Sequence, residues 1–291
     1  MSRPAKRTHV NLLTIGNSFA DNATEFLSDI FAAEGVIPLT LGKANLGGAF
    51  VQKHWNLHLQ SERFPQVRPY QFLFTGREPR DFSLREAVTA IPWDFVTLQQ
   101  SSDLSIDPDS YFPWFELLHG LVRELAPQAE ILIHQTWSFR EDSGIFRENG
   151  LTSATMFDRL AENYRRAASR LGCRIIPCGL AFQKARERSP YQLDPKYDFA
   201  APEPLTLPVQ INSLQQGYCW DTGNTASGNP EFRLDCRHCN VRGVYLANAV
   251  WFEFLTGRTL AGNSFLPPGL DPADRDFLRQ CASEAVAEGG A

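Results

Sequence analysis

The sequence predicts an α/β fold in which a parallel sheet lies between two layers of helices. Three observations carry this. Five short apolar blocks alternate with amphipathic runs of helical length. The residues with chemical potential gather just past the carboxyl ends of those blocks, where ligands sit in such sheets. The 291 residues, 43% hydrophobic and 21% charged, supply enough apolar surface for a buried core.

The first block is a strand with Val10, Leu12, Leu13 and Ile15, closed by Gly16. After Ser18, the residues Ala23, Phe26, Leu27, Ile30 and Phe31 recur at three- and four-residue steps, which is one helix face. Ser18 therefore stands at a strand-to-helix junction, where the first backbone N–H groups of a helix are free to face a ligand. Its plainer role would be that of a helix cap. A second strand spans Pro38 to Ala44 and runs into Asn45-Leu46-Gly47-Gly48-Ala49; adjacent glycines there imply unusual dihedrals or close backbone approach. A polar stretch bearing His54 and Trp55 continues to Arg80.

The third strand, Phe95 to Gln100, leads into Ser101-Ser102-Asp103. Asp109, Ser110 and Pro113 mark a helix start whose apolar face is Phe115, Leu118, Val122 and Leu125. The fourth strand runs from Ile131 to Trp137, and Ser138 to Ala154 reads as a long polar loop. A helix then presents Phe157, Leu160, Ala161, Tyr164, Ala168 and Leu171 and stops at Gly172. The fifth strand covers Cys173 to Cys178, with a short helix near Leu180 to Arg188. From Ser189 to Leu234 the pattern dissolves into a loop excursion rich in Pro, Gly and Asn, a length that in a compact domain is functional or carries structure of its own. A last strong helix, about Val241 to Leu255, has Val244, Ala247, Trp251 and Phe254 as its buried stripe; Ala287 to Ala291 read as frayed. The whole of 1–291 reads as a single domain carrying the excursion at about 189–234.

A formal net charge of −5 gives no electrostatic case for nucleic acid or an anionic membrane, and no apolar run approaches membrane-spanning length. The segment after Met1 to Thr8 is short, contains Asn11 and ends in Gly-Asn-Ser, so it does not read as a signal peptide, and a cytoplasmic protein is expected. The six cysteines form no regular framework and are expected to be reduced structural thiols. Cys236 and Cys239 make a lone C-x-x-C pair, whereas structural zinc needs four ligands; no metal and no cofactor are expected.

Nucleophilic acyl transfer needs a hydroxyl, a base in reach of it, an acid to orient the base, and donors for the oxyanion. Ser18 supplies the hydroxyl, His238 the base and Asp235, three residues earlier on the same expected loop, the acid. The N–H of Ser18, that of Gly48 or Gly47, and the side-chain amide of Gln99 or Gln100 are the candidate oxyanion donors. Taken singly each has a plainer role: a turn cap for Asp235, a surface position for His238, a loop-satisfying amide for either Gln. Their joint placement around one crevice favours catalysis.

On these residues the chain resembles the SGNH (GDSL-like) hydrolases. Gly16-Asn17-Ser18-Phe19 matches the family's first block, Asn45-Leu46-Gly47-Gly48 its second, and Asp235-x-x-His238 its last. Within that superfamily it is most similar to a bacterial branch with the further blocks Leu98-Gln99-Gln100-Ser101, Thr136-Trp137-Ser138 and Gly243-x-Tyr245-Leu246. The resemblance spans His9 to Gly257 and implies a three-layer α/β/α sandwich on a flavodoxin-like parallel sheet of about five strands. It also implies serine ester hydrolysis through Ser18, His238 and Asp235. One departure stands out: the superfamily's third block carries an Asn that donates to the oxyanion, and here Gln99-Gln100-Ser101-Ser102 occupies its place.

Such a fold does not choose a substrate. Trp55, Trp137 and Trp220, with His54, fall on segments expected near the crevice, and exposed aromatic platforms suit sugar rings. The expected activity is removal of O-acetyl or other short acyl groups from a small-molecule or glycan ester. An esterase or thioesterase for other small acyl groups, or a non-catalytic carbohydrate-binding protein on the same fold, are the alternatives, the intact Ser18, Asp235 and His238 arguing against the last.

Overall fold

The computed structural model describes residues 9–35, 37–71, 73–74, 77–223 and 228–289. The N-terminal segment read above for a leader, Met1 to Thr8, lies outside the described residues. The chain runs through strand β1 (Val10–Gly16), helices α1 (Ser18–Ala23) and α2 (Leu27–Glu34), and strand β2 (Leu39–Asn45). Helices α3 (Val51–Arg63) and α4 (Leu84–Val88), strand β3 (Phe95–Leu98), helix α5 (Trp114–Leu125) and strand β4 (Glu130–His134) follow. Next come helices α6 (Gly144–Asn149) and α7 (Ser153–Leu171), strand β5 (Arg174–Ile176) and helix α8 (Cys178–Arg188). Short strands β6 (Gln192–Leu193) and β7 (Gln210–Ile211) precede a hairpin of β8 (Gln215–Asp221) and β9 (Glu231–Cys239). Helices α9 (Val241–Thr256) and α10 (Pro272–Gly289) close the chain.

Strands β1 to β5 form one parallel sheet in the order β2-β1-β3-β4-β5, as expected of the flavodoxin-like arrangement. Its interior positions are fully buried, as a sheet covered on both faces requires: Val10, Leu12, Leu13 and Ile15 on β1, Val96 and Leu98 on β3, Leu132 and Ile133 on β4. Helices α1, α2, α8, α9 and α10 pack among themselves, α3, α4 and α5 form a second group, and α7 packs against both α8 and α5. The ladders stop earlier than the sequence suggests. β3 ends at Leu98, paired with Ile133, and β4 at His134, paired with Ile176, so Gln99, Gln100 and Trp137 lie beyond the last rung. That places them at the carboxyl edge, with side chains freed from strict alternation.

The amphipathic run after Ser18 is two helices. Thr24 turns its hydroxyl back onto the Ala20 carbonyl at 2.7 Å, and the Phe26 N–H leaves the helical ladder to bond Asn248 Oδ1 at 3.0 Å. Asn248, fully buried on α9, also donates to the Asn22 carbonyl at 2.8 Å, so this one amide clamps the α1–α2 junction to the hydrophobic helix behind it. α3 was not legible, because its buried face is largely polar: His54, His58 and Ser61 beside Val51. α10 replaces the expected frayed end as far as Gly289, burying Leu278, Cys281, Ala282 and Ala285 against α8 and α9. The final two residues lie outside the described ones.

The excursion carries structure of its own. Phe232, Tyr197, Tyr218 and Trp220 form an aromatic cluster with ring centroids 5.2 to 5.8 Å apart, and β8 pairs antiparallel with β9, Gly217 opposite Asp235. Asp235 and His238 therefore sit within β9, in a short turn where its register against β8 shifts, rather than on a free loop. Replacing Asn248 with Ala leaves the half-buried Phe26 N–H without its acceptor and removes one donor from the Asn22 carbonyl, which keeps the Glu25 N–H at 3.5 Å. The expected loss is about 2–4 kcal/mol of unfolding free energy, read from denaturant midpoints.

Candidate active site

Gly16 ends β1 against Asn45 of β2, and Asn17 turns the chain into α1. Asn17 caps that helix: its Oδ1 accepts from Phe19 N at 3.0 Å, while its carbonyl accepts from the N–H of Ala20 and Asp21. Among the described residues the Ser18 N–H has no protein acceptor, since it stands ahead of the first helical bond and the cap takes the next one. The Ser18 side chain is half-buried and its Oγ lies 2.8 Å from His238 Nε2.

His238 reaches Ser18 from the end of β9. Its Nδ1 is 2.8 Å from Asp235 Oδ2, and Asp235 Oδ1 accepts the backbone N–H groups of Arg237 and His238 at 3.0 Å each. Partial burial pushes the Asp235 carboxyl upward, but these bonds, the imidazole first and then the two N–H groups, outweigh it and hold the carboxyl at about 2. An ionised carboxylate can only accept, so Nδ1 carries the imidazole proton and the bare Nε2 accepts from the Ser18 hydroxyl. This is the geometry that lets a serine lose its proton as it attacks an acyl carbon.

Beyond β2, the Leu46 N–H bonds the Gly16 carbonyl at 2.9 Å, bringing the glycine turn beside the Gly16–Ser18 turn. Gly48 is exposed with φ +64°, a conformation that favours glycine, and among the described residues its N–H and that of Gly47 have no protein acceptor. The free N–H groups of Ser18 and Gly48 or Gly47 are thus available as a pair.

A family profile described as "domain of unknown function (DUF4886)" matches residues 11–200. The chain belongs to the DUF4886 family. A DUF4886 protein from Bacteroides uniformis, solved by crystallography, is 25% identical over 97% of this chain and 96% of its own, with a TM-score of 0.74. A candidate SGNH hydrolase from Slackia heliotrinireducens superposes with a TM-score of 0.50 at 18% identity, over 86% of this chain and all of its own. This DUF4886 chain has the SGNH-like fold, a five-stranded parallel sheet flanked by helices. No curated protein matches it. The family profile stops at residue 200, short of the hairpin that carries Asp235 and His238.

Several expected site residues of this DUF4886 protein have other partners. Both Gln100 amide hydrogens go to Ser110, to its carbonyl at 2.8 Å and its hydroxyl at 3.1 Å, and Gln100 Oε1 accepts from Val51 N and Ser101 N. Gln100 is therefore a loop-satisfying amide and not an oxyanion donor. Gln99 is buried between two partners: Nε2 donates to Asn17 Oδ1 at 2.7 Å, and Oε1 lies 2.9 Å from His134 Nδ1. Burial lowers the His134 pKa to about 3, so the ring is neutral and its Nδ1–H donates. Gln99 thus supports the nucleophile turn from behind.

The aromatic platforms are corrected as well. Trp137 is fully buried, stacked between Phe19 and Phe182 with centroids 4.6 Å from each, and its indole N–H donates to the Arg237 carbonyl at 2.9 Å. His54 is buried against Tyr70, with its pKa lowered to about 4 by burial. Neither can stack on a sugar, because packing has taken both faces of the indole and removed the imidazole from the surface. Trp55 is half-buried on α3, 5.3 Å from His58, and Trp220 bonds Thr206 within the excursion. Cys236 bonds Ser143, and among the described residues no three His, Cys, Asp or Glu side chains converge as metal ligands. No described helix is long and apolar enough to cross a membrane.

The sign of the Asp235 shift predicts a pH dependence. A carboxyl held at about 2 in the folded chain and near 3.8 when unfolded stabilises the fold above pH 3.8, and that contribution is lost as the pH falls through 2. Melting temperatures of wild type and Asp235→Asn should differ clearly at about pH 5. They should converge between pH 4 and 2.

Proposed function

We propose that this protein is a serine ester hydrolase that removes short acyl groups, acetyl first, from a polar alcohol of the carbohydrate type. The observation that carries the reading is the continuous relay from Asp235 through His238 to the Ser18 hydroxyl, with free backbone N–H groups on Ser18 and in the Gly47-Gly48 turn. Ser18 Oγ attacks the acyl carbon as His238 Nε2 takes its proton. The oxyanion is met by the Ser18 N–H and that of Gly48 or Gly47. His238 then returns the proton to the leaving alkoxide, and water repeats the sequence on the acyl-enzyme. Asp235 stays ionised throughout and steadies the imidazolium.

The short acyl group is supported by what lies behind the nucleophile. Phe19, Trp137 and Phe182 are stacked in van der Waals contact, so the apolar space there is already filled by protein and offers no channel to a long chain. The polar alcohol is supported by the exposed residues tied to the reacting pair. Asp103 pairs with Arg237 at 2.8 Å, one residue from His238, Asp21 is one helical turn from Ser18, and Gly47 and Gly48 present only backbone. A polar rim of this kind suits hydroxyl-rich substrates, and Trp55 remains the aromatic candidate for contact with them.

Turnover of p-nitrophenyl esters should fall steeply from acetyl to octanoyl, with acetylated sugars hydrolysed beside them; equal or better rates on octanoyl would overturn the short-acyl reading. Ser18→Ala and His238→Ala should each lower kcat by roughly 10³-fold or more, and the double variant should be scarcely worse, because both disable one step. Melting curves on the same Ser18→Ala preparation should move little. Intact turnover would mean that Ser18 is not the nucleophile.

A further inference from the structure

The Asp235–His238 turn is bonded to itself. Asp235 takes the N–H groups of residues 237 and 238 as well as the imidazole, so residues 235 to 238 move as one piece. Its position over Ser18 is then set only by what holds this piece from outside. One of those holds is Arg140, just beyond β4. The Arg140 backbone N–H donates to the Cys236 carbonyl at 2.9 Å, next to the catalytic acid.

The Arg140 side chain is fully buried and runs under the excursion. Nε and Nη2 make a two-pronged ion pair with Asp142 at 2.8 Å each, and Nη1 donates to Gln210 Oε1 and, at 3.3 Å, to Ser213 Oγ. Tyr191 and Tyr218 lie over the guanidinium with centroids at 4.5 and 5.2 Å. Gln210 in turn bonds the backbone of Tyr218 through both ends of its amide. Gly217, the residue paired with Asp235 across the hairpin, has φ +76°, and a Cβ there would lie 2.1 Å from Arg140 Nη1 and 2.0 Å from Gln210 Oε1. The guanidinium therefore fills the space that a side chain opposite Asp235 would occupy.

We propose that Arg140 is a positioning residue for hydrolysis: it fixes the Asp235–His238 pair over Ser18, by its N–H on one side and by its guanidinium beneath Gly217 on the other. The 189–221 part of the excursion serves to bury and saturate that guanidinium. A lysine keeps the charge but offers a single ammonium where four directed N–H bonds are made, so Arg140→Lys loosens the hairpin without discharging Asp142. This inference rests on the catalytic reading of Ser18, His238 and Asp235.

The test uses the full chain, with melting curves to fix an assay temperature at which each variant is folded. On an acetyl ester, Arg140→Lys and Gly217→Ala should each lower kcat by about 10- to 100-fold with KM within about threefold, and should displace the midpoint of the kcat/KM pH profile. In a His238→Ala background Arg140→Lys should change kcat by less than twofold, because its effect passes through that imidazole. If Arg140→Lys does not fold, Gln210→Ala carries the same comparison with a smaller loss. A lowered melting temperature with kcat and the pH profile unchanged, or equal losses in both backgrounds, would overturn the proposal. A separate readout is the downfield imidazole proton on His238 Nδ1 in the NMR spectrum, assigned by its disappearance in His238→Ala. It should move or broaden in Arg140→Lys. If wild type turns over no ester yet this proton responds, the ester reading fails and the positioning role stands. If Ser18→Ala abolishes turnover while the proton and kcat ignore Arg140→Lys, the positioning role fails alone.

Discussion

The site depends on the orientation of one buried amide, that of Asn17. Its oxygen accepts the Phe19 N–H and the Gln99 amide, and its nitrogen donates to the Ala49 carbonyl at 2.9 Å. Three strand ends thereby meet at one residue: β1, which leads into the nucleophile turn, the segment after β3 that carries Gln99, and the glycine turn after β2. The direction of these bonds is imposed from further back, because neutral His134 donates to Gln99 Oε1 and so turns the Gln99 nitrogen toward Asn17. None of these groups can exchange its partner for water, and a buried donor or acceptor left alone costs about 1–3 kcal/mol. The Ser18 N–H and the glycine N–H groups are held in place by buried residues behind them.

His238 and Asp235 arrive differently. They come from a hairpin late in the chain, outside the parallel sheet, and their own short turn is rigid through the bonds to Asp235. Holds on that turn come from the segment beyond β4: Trp137 through its indole, Arg140 through its backbone, with Phe139 under the Arg237 guanidinium at 5.1 Å. The Cys239 N–H adds a link to Asn22 Oδ1 on α1 at 3.0 Å. The same apolar stack that fills the space behind Ser18 thus also supports the end of β9 that brings His238 to it.

The misreadings share a cause. Trp137 and His54 have the composition of a binding surface and the burial of a core, and residue type alone does not say which way a side chain at a strand end or on a helix will turn. Gln99 and Gln100 are adjacent and chemically identical, yet one supports Asn17 and the other satisfies Ser110. α3 hides behind buried histidines that break its apolar period. The hairpin and α10 were legible in principle. Phe232, Leu234 and Cys236 alternate along β9, and Phe277, Leu278, Cys281, Ala282 and Ala285 recur at helical steps, but proline-rich and terminal surroundings masked both.

What the sequence determined by itself was the local and the periodic. Strand and helix patterns specify the parallel sheet, parallel strands place their carboxyl ends on one edge, and Gly-Asn-Ser at such an end specifies a hydroxyl at a helix start. Asp235 and His238 are three residues apart, close enough for a short turn to join them. Only the tertiary structure decided which amides were already spent, which aromatics were core, and what carries the hairpin 220 residues along the chain to bring His238 within 2.8 Å of Ser18. Hydrogen-bond saturation and close packing are properties of all neighbours at once. A residue's type records what it can bond, and only the assembled neighbourhood settles what it does bond.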